Sequence, residues 1–339
     1  MLNVRSERCL AGILGVSLRV LTSDLRRLEK CVRKFHLIDP AKPEKRREVI
    51  QIFGAWRNHV DRLMERLLLT KLTPSIHNHG GVKGRSILTN ASTHTKSVYV
   101  YAVDISDFFP SIHYKRVYRL FFERFGCSPD VARICTRLCT YDYHLAVGLP
   151  TSPLLADQAM RDVDTRIHGA CKIAGLTYTR FIDDLTISGQ FDFVKSGFLD
   201  LVPRILEEHG FRINPKKCET GRLADRPLVT KLRIRDGRPD VGRDYIRKLI
   251  GQMEDAARLA NGTRFVGPYF TSDQIYGRIC FVRSIRWSRG RDLMRRFRSV
   301  PWSKVEAEAR RRGLIASKKR LVPKQQGVDS HSSGGTASS

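Results

Sequence analysis

Two short stretches constrain the fold of this chain more than any others. "SVYVYAVDI" (97–105) is dense in β-branched and aromatic residues and reads as a strand ending at Asp104. "TYTRFIDDLTISG" (177–189) reads as two strands joined at a bend that carries Asp183 and Asp184. Adjacent aspartates at a bend fit either a solvated turn or a cage for divalent cations, since aspartate favours turns on its own account. If the hairpin lies beside the first strand in one antiparallel sheet, three carboxylates converge at one edge. Such a cluster repels itself unless cations neutralise it. Two Mg²⁺ ions about 4 Å apart would do so, one activating an attacking hydroxyl and the other stabilising a departing pyrophosphate.

The flanking segments supply layers for such a sheet. "YKRVYRLFFERF" (114–125) and "SPLLADQAMRDVDTRIHGACKIAG" (152–175) have helical spacing, the second opened by Ser152 and Pro153. "VKSGFLDLVPRILEEHGF" (194–211) predicts a further helix bent at Pro203, and "RINPKKCE" (212–219) and "PLVTKLRIR" (227–235) predict strands. Strand, helix, helix, hairpin, helix, strand is an α+β order with helices packed on one sheet face. Upstream, 10–35 predicts one or two helices, "LIDPAKPEKRREVIQIF" (37–53) a basic β-hairpin, and "AWRNHVDRLMERLLLTKL" (55–72) a helix stopped by Pro74. "HGGVKGRSILTNA" (79–91) is a glycine-rich loop with Lys83 and Arg85, leading into a helix near Ser86. From Tyr245 the pattern is helical and arginine-rich, and the polar end of the chain (323–339) has a composition expected of a disordered tail.

Charge is unevenly distributed. The total is +27, but residues 1–100 hold 19 Lys/Arg against 8 Asp/Glu and residues 241–325 hold 21 against 7, while 101–235 hold 20 against 16. A nearly neutral centre between basic walls is the form of a nucleic-acid channel, against the alternative of a merely basic soluble surface. Eight cysteines lack metal-site spacing and are expected to be reduced core thiols of a cytoplasmic protein. The apolar stretch "CLAGILGVSL" (9–18) is too short to cross a bilayer, so no membrane association is expected.

"YAVDISDFFPSI", "LAVGLPTSPLLAD", "YTRFIDDLTISG" and "GFRINPKKCE" resemble, in order and spacing, the palm motifs of reverse transcriptases. With "GVKGRSILTNASTH" before them and "PLVTKLRI" after, the pattern is most similar to the bacterial retron branch, over about residues 10–315. The resemblance implies a right-hand polymerase: N-terminal helices 1–34, fingers 35–100, a palm with an antiparallel sheet 101–240, and a helical, RNA-binding thumb 241–322. It implies that Asp104, Asp183 and Asp184 are catalytic and bind two Mg²⁺ ions. It implies that Phe109 excludes ribonucleotides, and that Arg46, Arg47, Arg85 and Lys217 contact the triphosphate. Arg283, Arg286, Arg289, Arg291, Arg295, Arg296 and Arg298, interleaved with Ile285, Trp287 and Phe297, are the candidate RNA contacts.

The implied activity is RNA-directed DNA synthesis from deoxynucleoside triphosphates on a cognate structured noncoding RNA. Priming would come from an RNA 2′-OH, giving a branched RNA/DNA product, with an effector protein in antiphage defence. The alternatives are another bacterial reverse transcriptase, of defence-associated or group II intron type, or a non-catalytic RNA-binding protein of palm fold. Three positions depart from the family pattern. Phe181 replaces a tyrosine, Val147 a glutamine, and Lys231 the glycine of a Val-Thr-Gly triplet.

Overall fold

The computed structural model describes residues 1–39, 42–225, 228–263 and 268–314. Two serine-capped helices, α1 (Glu7–Ile13) and α2 (Leu18–Leu25), precede a long antiparallel hairpin of β1 (Val32–Asp39) and β2 (Lys42–Ile52). The hairpin begins earlier than the apolar spacing predicts: helix ends at a 3₁₀ turn, Leu28–Cys31, and Val32 already pairs with Ile52. α3 (Gly54–Leu63) runs through a π turn (Met64–Leu68) into α4 (Leu69–Lys71), short of Pro74. α5 (Ile87–Thr93) opens at Ser86 with a capping box in which Ser86 and Thr89 exchange hydrogen bonds.

The predicted central strand is β3 (Tyr99–Asp104), followed by the short α6 (Phe108–Ser111). α7 (Tyr114–Arg119) then continues into a second π turn, Leu120–Arg124. α8 (Pro129–Cys139) and α9 (Ser152–Ile173) lead to β4 (Thr177–Phe181) and β5 (Asp184–Gly189). Three elements differ from the sequence expectation. Gly197, at φ +73, breaks the segment after β5, so α10 (Leu201–Glu208) is short and Pro203 lies in its first turn, where proline needs no kink. "RINPKKCE" is mostly turn, with β6 (Glu219–Arg222) starting only at its last residue. "PLVTKLRIR" belongs to a separate three-stranded sheet of β7 (Leu228–Val229), β8 (Leu232–Arg235) and β9 (Arg238–Asp240). Helices α11 (Arg243–Ala260), α12 (Ser272–Ile285), α13 (Trp287–Ser299) and α14 (Trp302–Arg311) follow as expected. The tail 323–339 lies outside the described residues.

The central sheet has strand order β4-β5-β3-β6, all antiparallel. Side chains alternate across it. Tyr101, Val103, Leu185, Ile187 and Tyr178 face α9 and α10 and join the larger core, with Leu155, Met160, Val163, Ile205 and Leu206. Asp104, Asp184, Thr186, Ser188 and Thr179 occupy the alternate positions and so the opposite face. A second core gathers α11–α14 and the small sheet around Leu249, Met253, Ile275, Ile279 and Val305, together with Ala91 of α5 and Val100 of β3. Cysteine placement is more varied than expected: Cys127, Cys135, Cys139 and Cys171 are buried thiols, Cys31, Cys218 and Cys280 are half-buried, and Cys9 is exposed. Among the described residues no helix is long and apolar enough to cross a membrane.

Candidate active site

Register brings the carboxylates together. Asp104 closes β3 directly opposite Asp184, the first residue of β5, and Asp183 occupies the turn one residue earlier. One ligand oxygen from each of the three lies within 4.8 Å of the others. Like charges directly opposite in a sheet oppose pairing, so the arrangement stores repulsion that a cation would relieve. Burial, then Asp183 and Asp104, raise Asp184 to about 7. Burial, then Asp104, also raise Asp183, while Lys217 and Arg47 act in the opposite sense. Lys217 Nζ stands 2.7 Å from each oxygen of Asp104, supplying the nearest positive charge. Three hard oxygen donors with an excess of negative charge fit a divalent cation.

The turn that carries Asp183 is strained. Its first central residue, Ile182, has φ +59, a conformation that glycine normally supplies in a type II′ hairpin and that a β-branched side chain resists. Neighbouring groups hold it. Asn78 Oδ1 accepts the Ile182 amide (3.3 Å), and Arg180 Nη1 donates to the Ile182 carbonyl (2.9 Å). Gly80 lies so close that a Cβ there would sit 2.4 Å from Ile182 Cγ1 and 2.7 Å from its amide nitrogen. The glycine loop therefore braces the hairpin that carries Asp183. Arg85 serves the same loop: its Nη1 donates to the carbonyls of Ser75, Ile76 and Asn78.

Below the hairpin Arg180 is almost completely buried between α9 and β4. It donates to Asp164 (2.8 and 2.7 Å) and Asp157 (2.8 Å), and Tyr178 Oη donates to Asp164 as well. Asp157 in turn accepts the Ser75 amide, tying α9 to the loop. On the opposite face the buried His94 bridges Ser188 of β5 and Thr179 of β4, at 2.7 Å each. Burial drives His94 down to about 3, so the bridge is made by the neutral imidazole. Asn90, one turn earlier on α5, donates to Thr230 in the turn between β7 and β8. Sequence reasoning missed Asn78, Gly80, His94, Asp157, Asp164 and Arg180. The only available signals were the charged residue in an apolar strand and the polar repeat in "NASTH".

The remaining candidates are placed as follows. Arg46 and Arg47, adjacent on β2, point to opposite faces, and Arg47 is the one whose charge reaches Asp183. Phe109 is half-buried against the larger core and contacts Phe108 at 5.4 Å. The Val147 carbonyl accepts the Ile50 amide, and Gly148, at φ +107, leaves no room for a Cβ beside the Ile50 carbonyl. Lys231, at φ +68 in the turn where the family pattern has glycine, exerts its charge on Asp184.

The arginines of α12 and α13 divide into two groups. Arg286 and Arg289 approach the buried Asp240 at 3.7 and 3.6 Å and so anchor these helices to β9. Arg283 lies 4.2 Å over Trp287, which is 60% exposed, while Arg291, Arg295, Arg296 and Arg298 are exposed. Phe297 and Ile285 are partly buried and pack against the second core, Phe297 beside Trp302.

A carboxylate triad at the turn of an antiparallel sheet, with cations around it, is compatible with a divalent-metal site of the kind that nucleotidyl-transferring polymerases use. The chain belongs to the reverse transcriptase family, matching the reverse transcriptase (RNA-dependent DNA polymerase) description over residues 42–227. It is an RNA-directed DNA polymerase of the retron type. It is 29% identical to the retron Ec86 reverse transcriptase of Escherichia coli, over 79% of each chain. It is 32% identical to the retron Mx65 reverse transcriptase of Myxococcus xanthus, over 68% of this chain and 58% of that one. With the retron Se72 reverse transcriptase of Salmonella heidelberg it shares 26% identity over 73% and 67%.

Proposed function

We propose that this polymerase copies part of a cognate structured noncoding RNA, priming from an RNA 2′-OH to leave a branched RNA/DNA product, and that it acts with an effector protein in antiphage defence. The observation that carries the catalytic part is the convergence of Asp104, Asp183 and Asp184 within 4.8 Å. In this reading the three would hold two Mg²⁺ ions, which when bound would activate the primer hydroxyl and stabilise the charge of the departing pyrophosphate. Lys217 exchanges Asp104 for the triphosphate or pyrophosphate, Arg47 neutralises the phosphates, and Phe109 meets the sugar. Arg46 lies on the opposite face of β2 from Arg47, and Arg85 is bonded to the loop carbonyls, so both would reach the triphosphate only from outside this cluster. Fingers, palm and thumb correspond to 35–100, 101–240 and 241–322. Exposed Arg283, Arg291 and Arg295, with Trp287, suit an RNA backbone and an unpaired base.

The test is synthesis by the purified protein on the stem-loop RNA encoded beside its gene. Mg²⁺-dependent DNA that stays joined to RNA until a 2′,5′-debranching enzyme is added is the expected product. Asp183→Asn should lower the rate by on the order of a thousandfold. Linear product made equally well on any primed RNA would refute the branched-product reading, and full activity of Asp183→Asn would refute the metal site.

A further inference from the structure

The helix formed by α7 and its π turn presents a row of rings that the catalytic site does not use. Tyr114, Tyr118 and Phe122 recur every four residues and share one face. Tyr118 and Phe122 stack with centroids 5.8 Å apart at 24°, and Tyr114 lies 5.7 Å from Tyr143. Phe122 is 41% exposed and Tyr143 70%. Tyr143 stands at the tip of a tight turn, Tyr141 to His144, in which it and Asp142 both have positive φ (64° and 49°). Asn or Gly would hold that turn with less strain, so local folding does not explain a tyrosine there.

Cations accompany the rings. Lys115 and Arg119, each one residue beyond a tyrosine, are exposed and make no ion pair among the described residues. With Tyr114 and Tyr118 they line a groove of about 340 Å³, and they also line a larger neighbouring groove of about 790 Å³. The other arginines of the larger groove are engaged, Arg116 with the His209 carbonyl and over Phe211 and Arg124 with Asp162; Glu208, paired with Arg166, and Glu123 line it too, so the phosphate-binding charge lies on the side of Lys115 and Arg119. Ser111, the last residue of the helix that carries Phe109, lines the larger groove as well, so this face begins beside the nucleotide site.

We propose that this face binds a single-stranded stretch of RNA, its bases stacked on Tyr143, Tyr114, Tyr118 and Phe122 and its phosphates on Lys115 and Arg119. Aromatic platforms beside a positive groove are how unpaired strands are held without sequence readout. From Tyr114 to Phe122 the row is about 12 Å long, the span of roughly three to four nucleotides. Duplex is excluded because paired bases hide the faces that rings would cover. RNA is favoured over DNA because an RNA-directed DNA polymerase takes in single-stranded RNA and gives out a duplex.

The test uses the full chain with a labelled twelve-nucleotide oligouridine and its 4-thiouridine version. Irradiation followed by peptide mass spectrometry should place crosslinks on Tyr114, Tyr118, Phe122 or Tyr143. Tyr143→Asn with Phe122→Gln, exposed positions chosen to spare the fold, should weaken binding about tenfold or more. Its salt dependence should stay the same. Lys115→Gln with Arg119→Gln should flatten the slope of log affinity against log salt by about 1.4, at about 0.7 for each phosphate that is no longer neutralised. Both variants should still extend a short annealed primer on RNA, reporting an intact catalytic site. Crosslinks confined to other residues, unchanged binding in both variants, or tighter binding of the matching oligodeoxythymidine would overturn the proposal.

Discussion

Gly80→Ala is a one-carbon perturbation whose consequence follows directly from the geometry. The new Cβ would lie 2.4 Å from Ile182 Cγ1 and 2.7 Å from the Ile182 amide nitrogen, where an ordinary contact begins at 3.4 Å. Relief therefore requires a shift of about 1 Å, and two of the three obstructing atoms, the Ile182 nitrogen and the Phe181 carbonyl carbon, are backbone that cannot rotate away. Gly80 does not have positive φ, so alanine itself is conformationally acceptable there and the effect is steric. Overpacking of this kind costs about 1–3 kcal/mol. The displaced residue is bonded to Asp183, and misplacing catalytic groups by about 1 Å costs about a hundredfold in rate. Single-turnover primer extension and thermal melting should be compared with Gly12→Ala, a helical position with nothing within 4 Å of the added carbon. The expected result is a melting point a few degrees lower and a rate down about a hundredfold for Gly80→Ala, against an unchanged rate and an unchanged or slightly higher melting point for Gly12→Ala, since alanine is favoured over glycine within a helix. Wild-type rate and stability in Gly80→Ala would show that the loop does not brace the hairpin.

Other outcomes follow from the same geometry. Asp184 has a folded value of about 7 against an ordinary 3.8, so it contributes stability that is full below 3.8 and is lost as pH rises towards 7. Without divalent ions, Asp184→Asn should therefore raise the melting temperature relative to the parent more at pH 8 than at pH 5; an equal difference at both would contradict the repulsion. Arg180→Met leaves Asp157 and Asp164 buried without their cation and should destabilise by about 3–5 kcal/mol in denaturant titration, a loss absent if the pair is solvated. Phe109→Ala should raise ribonucleotide over deoxynucleotide incorporation in competition assays, and an unchanged ratio would leave the ring as packing. Arg283→Ala with Arg291→Ala and Arg295→Ala should lose preference for the cognate RNA at near-physiological salt, whereas Arg286→Ala with Arg289→Ala should instead lower stability, because Asp240 loses its partners.

Much of the carboxylate cluster was legible because alternation and strand ends are local properties. A strand ending at Asp104 and a hairpin bending at Asp183 can be read from spacing alone, and their junction needed only one assumption, that the hairpin pairs with the strand. Partners supplied from far along the chain were not legible. Arg180 sits in an alternating strand, where a charge reads as solvent-facing, and its burial depends on two aspartates of α9 that look like the polar face of a helix. Gly80 reads as a flexible loop residue until the hairpin that fills its missing side chain is in place. The break at Gly197 was hidden because the apolar spacing continues through it. Strand was legible at "PLVTKLRIR", but β9 and the separation of this small sheet from the central one were not, because three residues are too few to show a period and sheet membership is set by distant partners.

The second core is assembled from parts that the chain keeps far apart. Ile87, Leu88 and Ala91 of α5 and Val100 of β3 pack with residues beyond 220, and Asn90 is bonded to Thr230 across the same junction. An exchange of the C-terminal half between two such polymerases, cut cleanly near residue 240, would thus pair one parent's helices with the other parent's α5. Functional chimeras should require the donor's residues 86–94 to travel with the donor's end. α5 and the terminal helices thus form a single unit of packing, although the central sheet separates them along the chain.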